Sequence, residues 1–559
     1  MVAYWVRLRN AQSLLLASLM VGLGATALTA APERGAPAER RLSIFYSAEI
    51  HGTLEPCGCT SDPLGDIARY AALVRGAREQ GAATLLVDAG GLLYAEGGVS
   101  PKERPADDLR AKFLAAELTN LGLSGAGLAE TDLVGGVALV KPKRLASNLG
   151  SSAVLEPAHV VTVGEIKVGL LGVADPALGA ALGIASEDPV KAAQREVARL
   201  RQEGAEIVIV LAPIERAVAR RVARDAGADF VVAGRQVGKG AVRADKVGQA
   251  FMVTPADELQ RVGRIDLVLR GGGAPLLDAG GAEANRARVV EVDQLIKRLD
   301  DDLTRWASSK GASGGDSAFV ASKRAERAEL VAERARLGQP FSPPAAGSYF
   351  TNRLIALNRD LQRDPTMGAA MRRLDAKIAA VNLQHAAPVP PPEPGRAFYV
   401  GMSKCVGCHK GAATFWKTTV HAEAWQTLVA GGKQADYKCV ACHVTGYGQV
   451  GGSALGHSKG LTDVQCETCH GPGSLHVAAK GLEEPSAVHR ETPETTCLGC
   501  HNEHHSDTFQ YEAYLRDILG AGHGPSARKK LGDGPTGHEL RSAAQTRAKT
   551  AAAEQAAKR

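Results

Sequence analysis

The chain has 559 residues, a net charge of +6 and only 4% aromatic residues. That length exceeds what one hydrophobic core sustains and implies about three or four domains. The near-balanced charge gives no support for nucleic-acid binding, and the scarcity of aromatics means that part of the chain is ordered by something other than bulky side chains.

Arg7 and Arg9 precede an apolar run from Ser13 to Leu28, followed by small residues up to Ala31. This layout predicts a secretory signal over residues 1–31 and a periplasmic or otherwise exported mature protein. The alternative is an uncleaved anchor, although the run is short for a spanning helix. No Cys follows for lipid attachment, and no later segment reaches spanning length, so no transmembrane segment is expected after signal removal.

From residue 40 to 275, short runs such as LSIFYS, TLLVDA, KVGLLGV, EIVIVL, DFVVAG and GRIDLVL alternate with helix-like stretches. Val- and Ile-rich runs of this length bounded by Gly, Asp or Pro read as buried strands of an α/β domain. Residues 284–384 read as a helical, coiled-coil-like segment. Val289, Val292, Ile296, Leu299, Leu303 and Trp306 share one helical stripe, and Met367, Met371, Leu374, Ile378 and Val381 share another. The two stripes are expected to cover each other in a hairpin or bundle, with self-association as the alternative. A Pro-rich spacer at 385–397 follows, and the basic segment 526–559 is expected to be a disordered tail.

Between spacer and tail, residues 398–525 hold four copies of C-x-x-C-H: Cys405, Cys408, His409; Cys439, Cys442, His443; Cys466, Cys469, His470; and Cys497, Cys500, His501. In this motif two thiols form thioethers to one haem and the adjacent His ligates its iron. Four covalently bound haem c groups are therefore expected, and they supply the buried surface that the aromatics do not. Haem-free protein should be largely unfolded here.

The segment resembles the tetrahaem cytochrome c-554 family in Phe415-Trp416, His421-Ala422, CVACHVTGYG, CETCHGPGSLHV and the stretch from CLGCHNEHHSDTFQY to His523. The resemblance implies that His421, His476 and His523 are distal axial ligands and that one iron keeps an open face. His457, His489, His504, His505 and His538 are further candidates to close the fourth site.

Residues 40–270 resemble calcineurin-like metallophosphoesterases of the 5′-nucleotidase type, through Glu49-Ile50-His51-Gly52, VDAGG, GLAETD, SNLG, KVGLLGVADP and ADFVVAG. The resemblance implies two metals held by Asp, Asn and His. Here the ligand positions carry Glu49, His51, Gly91, Leu128, Ala129, Pro213, Arg235 and Val237, most of which offer no donor. If the motifs are aligned differently, Asp88, Glu130 or Asp132 supplies ligands.

The same loop holds the two remaining cysteines, Cys57 and Cys59. Three readings stay open: a structural pair, thiol redox chemistry, or a soft divalent metal held by Glu49, His51, Cys57 and Cys59.

The expected fold class is thus multidomain: an α/β metallophosphoesterase-like sandwich of mixed sheets flanked by helices, then a helical hairpin or bundle, then a mainly α multihaem cytochrome c domain. The expected function is electron transfer with unidentified redox partner proteins. The alternatives are a haem-dependent oxidoreductase acting on a small nitrogen or sulfur species, and a partner-binding module wired to haems.

Overall fold

The computed structural model describes residues 39–559 except 57, 141, 272–274, 281, 309–317, 339–342, 483–486, 503–504 and 557–559. The expected signal, residues 1–31, and two of the predicted site residues, Cys57 and His504, lie outside the described residues.

Among the described residues, fourteen strands form in chain order: β1 (Arg40–Ser47), β2 (Thr84–Asp88), β3 (Leu123–Ala126), β4 (Arg144–Leu145), β5 (Leu155–Glu156), β6 (Ala158–Val163), β7 (Ile166–Gly172), β8 (Ile207–Ala212), β9 (Phe230–Ala233), β10 (Ala241–Val247), β11 (Ala250–Thr254), β12 (Arg261–Leu269), β13 (Leu277–Asp278) and β14 (Tyr349–Ala356). One six-stranded sheet has the order β13-β14-β12-β1-β2-β3 and the other β10-β11-β9-β8-β7-β6, with β4 and β5 pairing separately. The facing sides pack Ile44, Tyr46, Leu85 and Val87 against Val168, Leu170, Ile209, Leu211 and Phe230. This two-sided burial is why so many strands read as continuous Val/Ile/Leu runs.

Helices α1 (Ile67–Glu79), α2 (Arg104–Asn120), α3 (Ala177–Leu182), α4 (Pro189–Gln202) and α5 (Arg216–Asp225) alternate with these strands. Asp66 accepts from Ala68 N to start α1, and Asp188 accepts from Val190 N and Lys191 N to start α4. α4 and α5 cover the outer face of the second sheet.

The region 284–384 is not purely helical. α6 (Ala282–Ser308) and α7 (Ala318–Leu337) form the hairpin, but β14 follows and pairs antiparallel with β12 from Tyr349↔Val268 to Ala356↔Arg261. The reason lies in its burial: Phe350 packs edge-on to Phe230 and Phe251 at 5.0 and 4.7 Å, and Asn352 accepts from the buried Tyr46 hydroxyl at 2.8 Å. The sheet is completed from beyond residue 275, so the α/β domain does not end there. The second stripe also has another destination. α8 (Pro365–Gln384) lays Met367, Met371, Leu374 and Ile378 on α1 and α2, where they join Ile67, Val74, Leu114 and Leu118. The two stripes therefore do not cover each other.

The haem-motif region is built from short helices: α9 (Lys410–Trp416), α10 (Ala424–Gly431), α11 (Tyr437–Val440), α12 (Cys466–His470), α13 (Ser474–Ala478), α14 (Glu494–Leu498) and α15 (Tyr511–Ile518). Its hydrocarbon core is small, centred on Ala435, Val440, Val444 and Leu455. The tail expected to be disordered is helical instead, as α16 (Pro525–Lys530) and α17 (Gly537–Ala556). A reciprocal cap explains the second: Thr536 N donates to Glu539 at 2.8 Å, and Glu539 N donates to Thr536 Oγ1 at 3.2 Å. An Ala-rich sequence then carries the helix, which packs on α15.

Candidate functional site

The predicted distal histidines meet motif histidines from other copies. His476, on α13, faces His409 with ring centroids 6.2 Å apart, and His421 faces His501 at 6.1 Å. An imidazole nitrogen bonds a first-row metal at about 2 Å and its ring centre lies about 1 Å further back, so two rings trans on one metal have centroids about 6 Å apart. Both pairs fit a haem iron between them. His523 sits beside His470, and burial and then that neighbour hold it below the ordinary histidine range. Burial likewise lowers His421, while burial, His421 and Arg541 push His501 down to about 4. These imidazoles are therefore neutral, the form that binds metal.

Which ring nitrogen is free follows from the partner of the other. His470 Nδ1 donates to His489 O at 2.7 Å and His443 Nδ1 to Ala424 O, while His501 Nδ1 shares a hydrogen bond of 3.1 Å with Ser506 Oγ. In the first two the carbonyl fixes the proton on Nδ1 and leaves Nε2 for iron, and in all three the Nδ1 contact engages the nitrogen away from the metal and fixes the ring. His489 thus serves through its backbone carbonyl. Val406, Val420, Leu475, Val477 and Leu498 lie beside these ligands in the chain and are exposed, as a surface meant for a macrocycle would be. The residues therefore fit haem c. No ring contact to a second imidazole accompanies His443 among the described residues, in contrast to His409 and His501.

The four motifs are mutually close. The Cys405 thiol lies beside that of Cys466, and the Cys442 thiol beside that of Cys500. Burial and then the neighbouring Cys497 push the Cys469 thiol up to about 11. Neighbour relations thus run from the first motif to the third, the third to the fourth, and the fourth to the second. Glu467, inside the third motif and buried, accepts from Val400 N, Gly401 N and Gly473 N, while Gln465 accepts from Met402 N. These two side chains tie the approach to Cys405 onto the third motif and start the loop leading to His476.

In the α/β domain the predicted ligand ring lies where the C-terminal ends of β1, β2, β3, β8 and β9 converge, and it is filled by protein. Glu49 is buried and accepts at its carboxylate from Gln236 N at 2.7 Å and Val237 N at 3.0 Å. A Cβ on Gly91 would meet Glu49 Cα at 3.2 Å and Cγ at 3.3 Å, so the longer acid occupies the space of the missing side chain. Pro213 packs in the same way against Gly90 and Gly127. Asp132 accepts from the backbone N–H groups of Gly91, Leu92, Leu93 and Ala129 and pairs with the fully buried Arg144 at 3.2 Å. Asp88 accepts from Ser47 Oγ and Gly90 N at 2.7 and 2.8 Å. Neither acid is left free for a metal. Burial outweighs these bonds and pushes Asp88 up to about 6.

Of the expected soft-metal quartet, Glu49, His51 and Cys59 are described and Cys57 is not. Glu49, His51 and Glu96 bring ligand atoms within 4.8 Å of one another, and Cys59 is not part of that cluster. The loop turns away instead: Glu55 meets Lys433 at 2.7 Å and Ser61 bonds Asp507, both in the haem-motif region.

Residues 404–471 match the family model described as cytochrome c554 and c-prime. The curated cytochrome c-554 of Nitrosomonas europaea is 41% identical over 91 residues, which cover 13% of this chain and 39% of that protein. The chain thus spans well under half the length of that relative. Among solved structures, a 5′-nucleotidase precursor from Thermus thermophilus is 15% identical with a TM-score of 0.41, covering 73% of this chain and 75% of that one. The calcineurin-like phosphoesterase YfkN from Bacillus subtilis is 16% identical with a TM-score of 0.40, covering 62% and 99%.

In the haem-motif region each C-x-x-C-H motif is contiguous and so can be read directly from the sequence. Sequence reasoning misses Glu467, whose partners at 400, 401 and 473 are distant in the chain. It also misses Glu96 beside His51, and the Asp132–Arg144 pair.

Proposed function

We propose that this chain is an exported tetrahaem c-type cytochrome that carries electrons, and that its α/β domain has lost the dimetal ligands of a phosphoesterase. The 6.2 and 6.1 Å spacing of His409–His476 and His421–His501 carries the first part. The bound group supplies a one-electron ferric/ferrous couple at each motif. The protein's part is to hold and tune it. The cysteine pairs tether the group, and paired imidazoles leave no position for a substrate. The Nδ1 hydrogen bonds of His443, His470 and His501 raise ligand basicity and favour the ferric state. The order of neighbouring motifs supports a path from the first through the third and fourth to the second. Haem quantitation and redox titration test this reading: four haems per chain with reversible one-electron steps are expected, and a stoichiometry below four overturns it.

A second reading concerns the motif of His443, which lacks a facing imidazole among the described residues. There a small ligand such as NO would bind, and the protein would act as an oxidoreductase. A ferrous spectrum that shifts on adding CO or NO by the share of one haem supports it, and a spectrum insensitive to both rules it out.

For the α/β domain, Glu49 spanning to Gln236 and Val237, together with Asp132 saturated by backbone N–H groups, supports loss of two-metal hydrolysis. No turnover of nucleotides or p-nitrophenyl phosphate is expected with Mn²⁺ or Zn²⁺, and measurable metal-dependent hydrolysis would show the assignment wrong.

A further inference from the structure

The imidazole of His501 is held almost entirely by the segment that follows it. Nδ1 lies 3.1 Å from Ser506 Oγ, to which it donates when Nε2 binds iron, and Ser506 Oγ also meets the Tyr514 hydroxyl at 3.2 Å, which in turn meets Thr508 Oγ1 at 2.8 Å. Phe509 stacks on the ring at 5.1 Å between centroids, and Tyr514 meets it edge-on at 5.3 Å. In the middle of this cradle is Asp507. Its carboxylate takes both donors of Ser61, the backbone N–H at 2.8 Å and the hydroxyl at a shorter distance. Ser61 is buried and belongs to the α/β domain, in the loop that starts at His51 and carries Cys59.

We propose that Ser61 and Asp507 are positioning residues for the iron ligand His501, so that the α/β domain sets the reduction potential of that one haem. This rests on the haem reading above. The clamp fixes the backbone on either side of Ser506 and Phe509, and through them the Nδ1 hydrogen bond and the ring plane. A ligand imidazole whose N–H is firmly accepted is more basic and stabilises ferric iron, and hydrogen bonding to an axial ligand is one of the protein's main controls on haem potential. Loosening the clamp weakens that bond and raises the potential. The effect is local, because the two regions stay docked elsewhere. Arg110 on α2 bridges Asp107 and Asp436 at 2.7 and 2.6 Å, and Lys433 bridges Glu55 and Asp375 at 2.7 and 2.6 Å.

The test uses the full-length, haem-loaded protein with Asp507→Ala, which removes both hydrogen bonds, and Ser61→Ala, which removes one. Asp507 is exposed, so its truncation opens no core cavity. Spectroelectrochemical titration should show one of the four potentials moving to more positive values, more in Asp507→Ala than in Ser61→Ala. The low-spin electron paramagnetic resonance signal of the His421/His501 haem should change while the others hold. Ser61→Thr and Asp507→Asn, which keep hydrogen-bonding groups in place, should restore the wild-type values. Four haems per chain with all potentials and signals unmoved in both Ala variants would overturn the clamp and leave the haem reading intact. A wild-type haem content below four would instead overturn the haem reading itself.

Discussion

The α/β domain and the haem-motif region solve the same problem, burying a chain, with opposite materials. The first packs three hydrocarbon layers, from α1, α2 and α8 through the space between the sheets to α4 and α5, and its central strands β1, β2, β7, β8 and β9 are almost wholly buried. The second has a hydrocarbon cluster of a few small residues and leaves Val420, Leu475 and Val477 exposed beside its histidines. What differs is where the information for folding resides. In the first it lies in side-chain volume, and in the second it lies in sulfur and nitrogen donors that need a prosthetic group to be satisfied.

The largest effect follows directly. Protein made without haem attachment should lose protection from hydrogen exchange across 398–525 while β1, β7, β8 and β12 stay protected, as read by exchange mass spectrometry. Equal protection in both regions would erase the contrast. Next, inside the hydrocarbon domain, Asp132→Ala leaves Arg144 buried without its partner and should cost about 3–5 kcal/mol in chemical denaturation of the whole protein. Replacing both by apolar residues should recover much of that loss.

Asp88→Asn is expected to act in the other direction. The folded pKa of Asp88 lies near 6, above the unfolded value of 3.8, so the native state binds the proton more tightly and stability falls as pH rises from about 4 to 6. At pH 7 the neutral amide should therefore stabilise by about 3 kcal/mol, a gain that vanishes below about pH 4. Denaturation midpoints at the two pH values check the sign. The smallest effect is at the seam: Arg110→Ala should cost about 2 kcal/mol and increase proteolysis near Asp436, the cap of α11, without touching the sheets.

The two regions also differ in how legible they are. Strands buried on both faces, such as β8 and β9, appear as uninterrupted apolar runs and can be read directly. β14 cannot, because its Thr351, Asn352 and Arg353 break the run, and only the pairing with β12 and the Tyr46 hydroxyl makes a polar Asn352 welcome there. In the cytochrome segment the tethering residues are contiguous and legible one by one. The facing histidines need a family resemblance, since nothing local ties His421 to His501, roughly eighty residues away. Glu467 looks like filler between two cysteines. Its role depends on backbone groups brought in from both sides.

Glu49 carries a further consequence. Because its side chain fills the space beside Gly91 and its carboxylate is engaged at Gln236 and Val237, an aspartate introduced at position 91 alone would collide with Glu49. A ligating side chain at position 91 therefore needs a second change at Glu49 to make room for it.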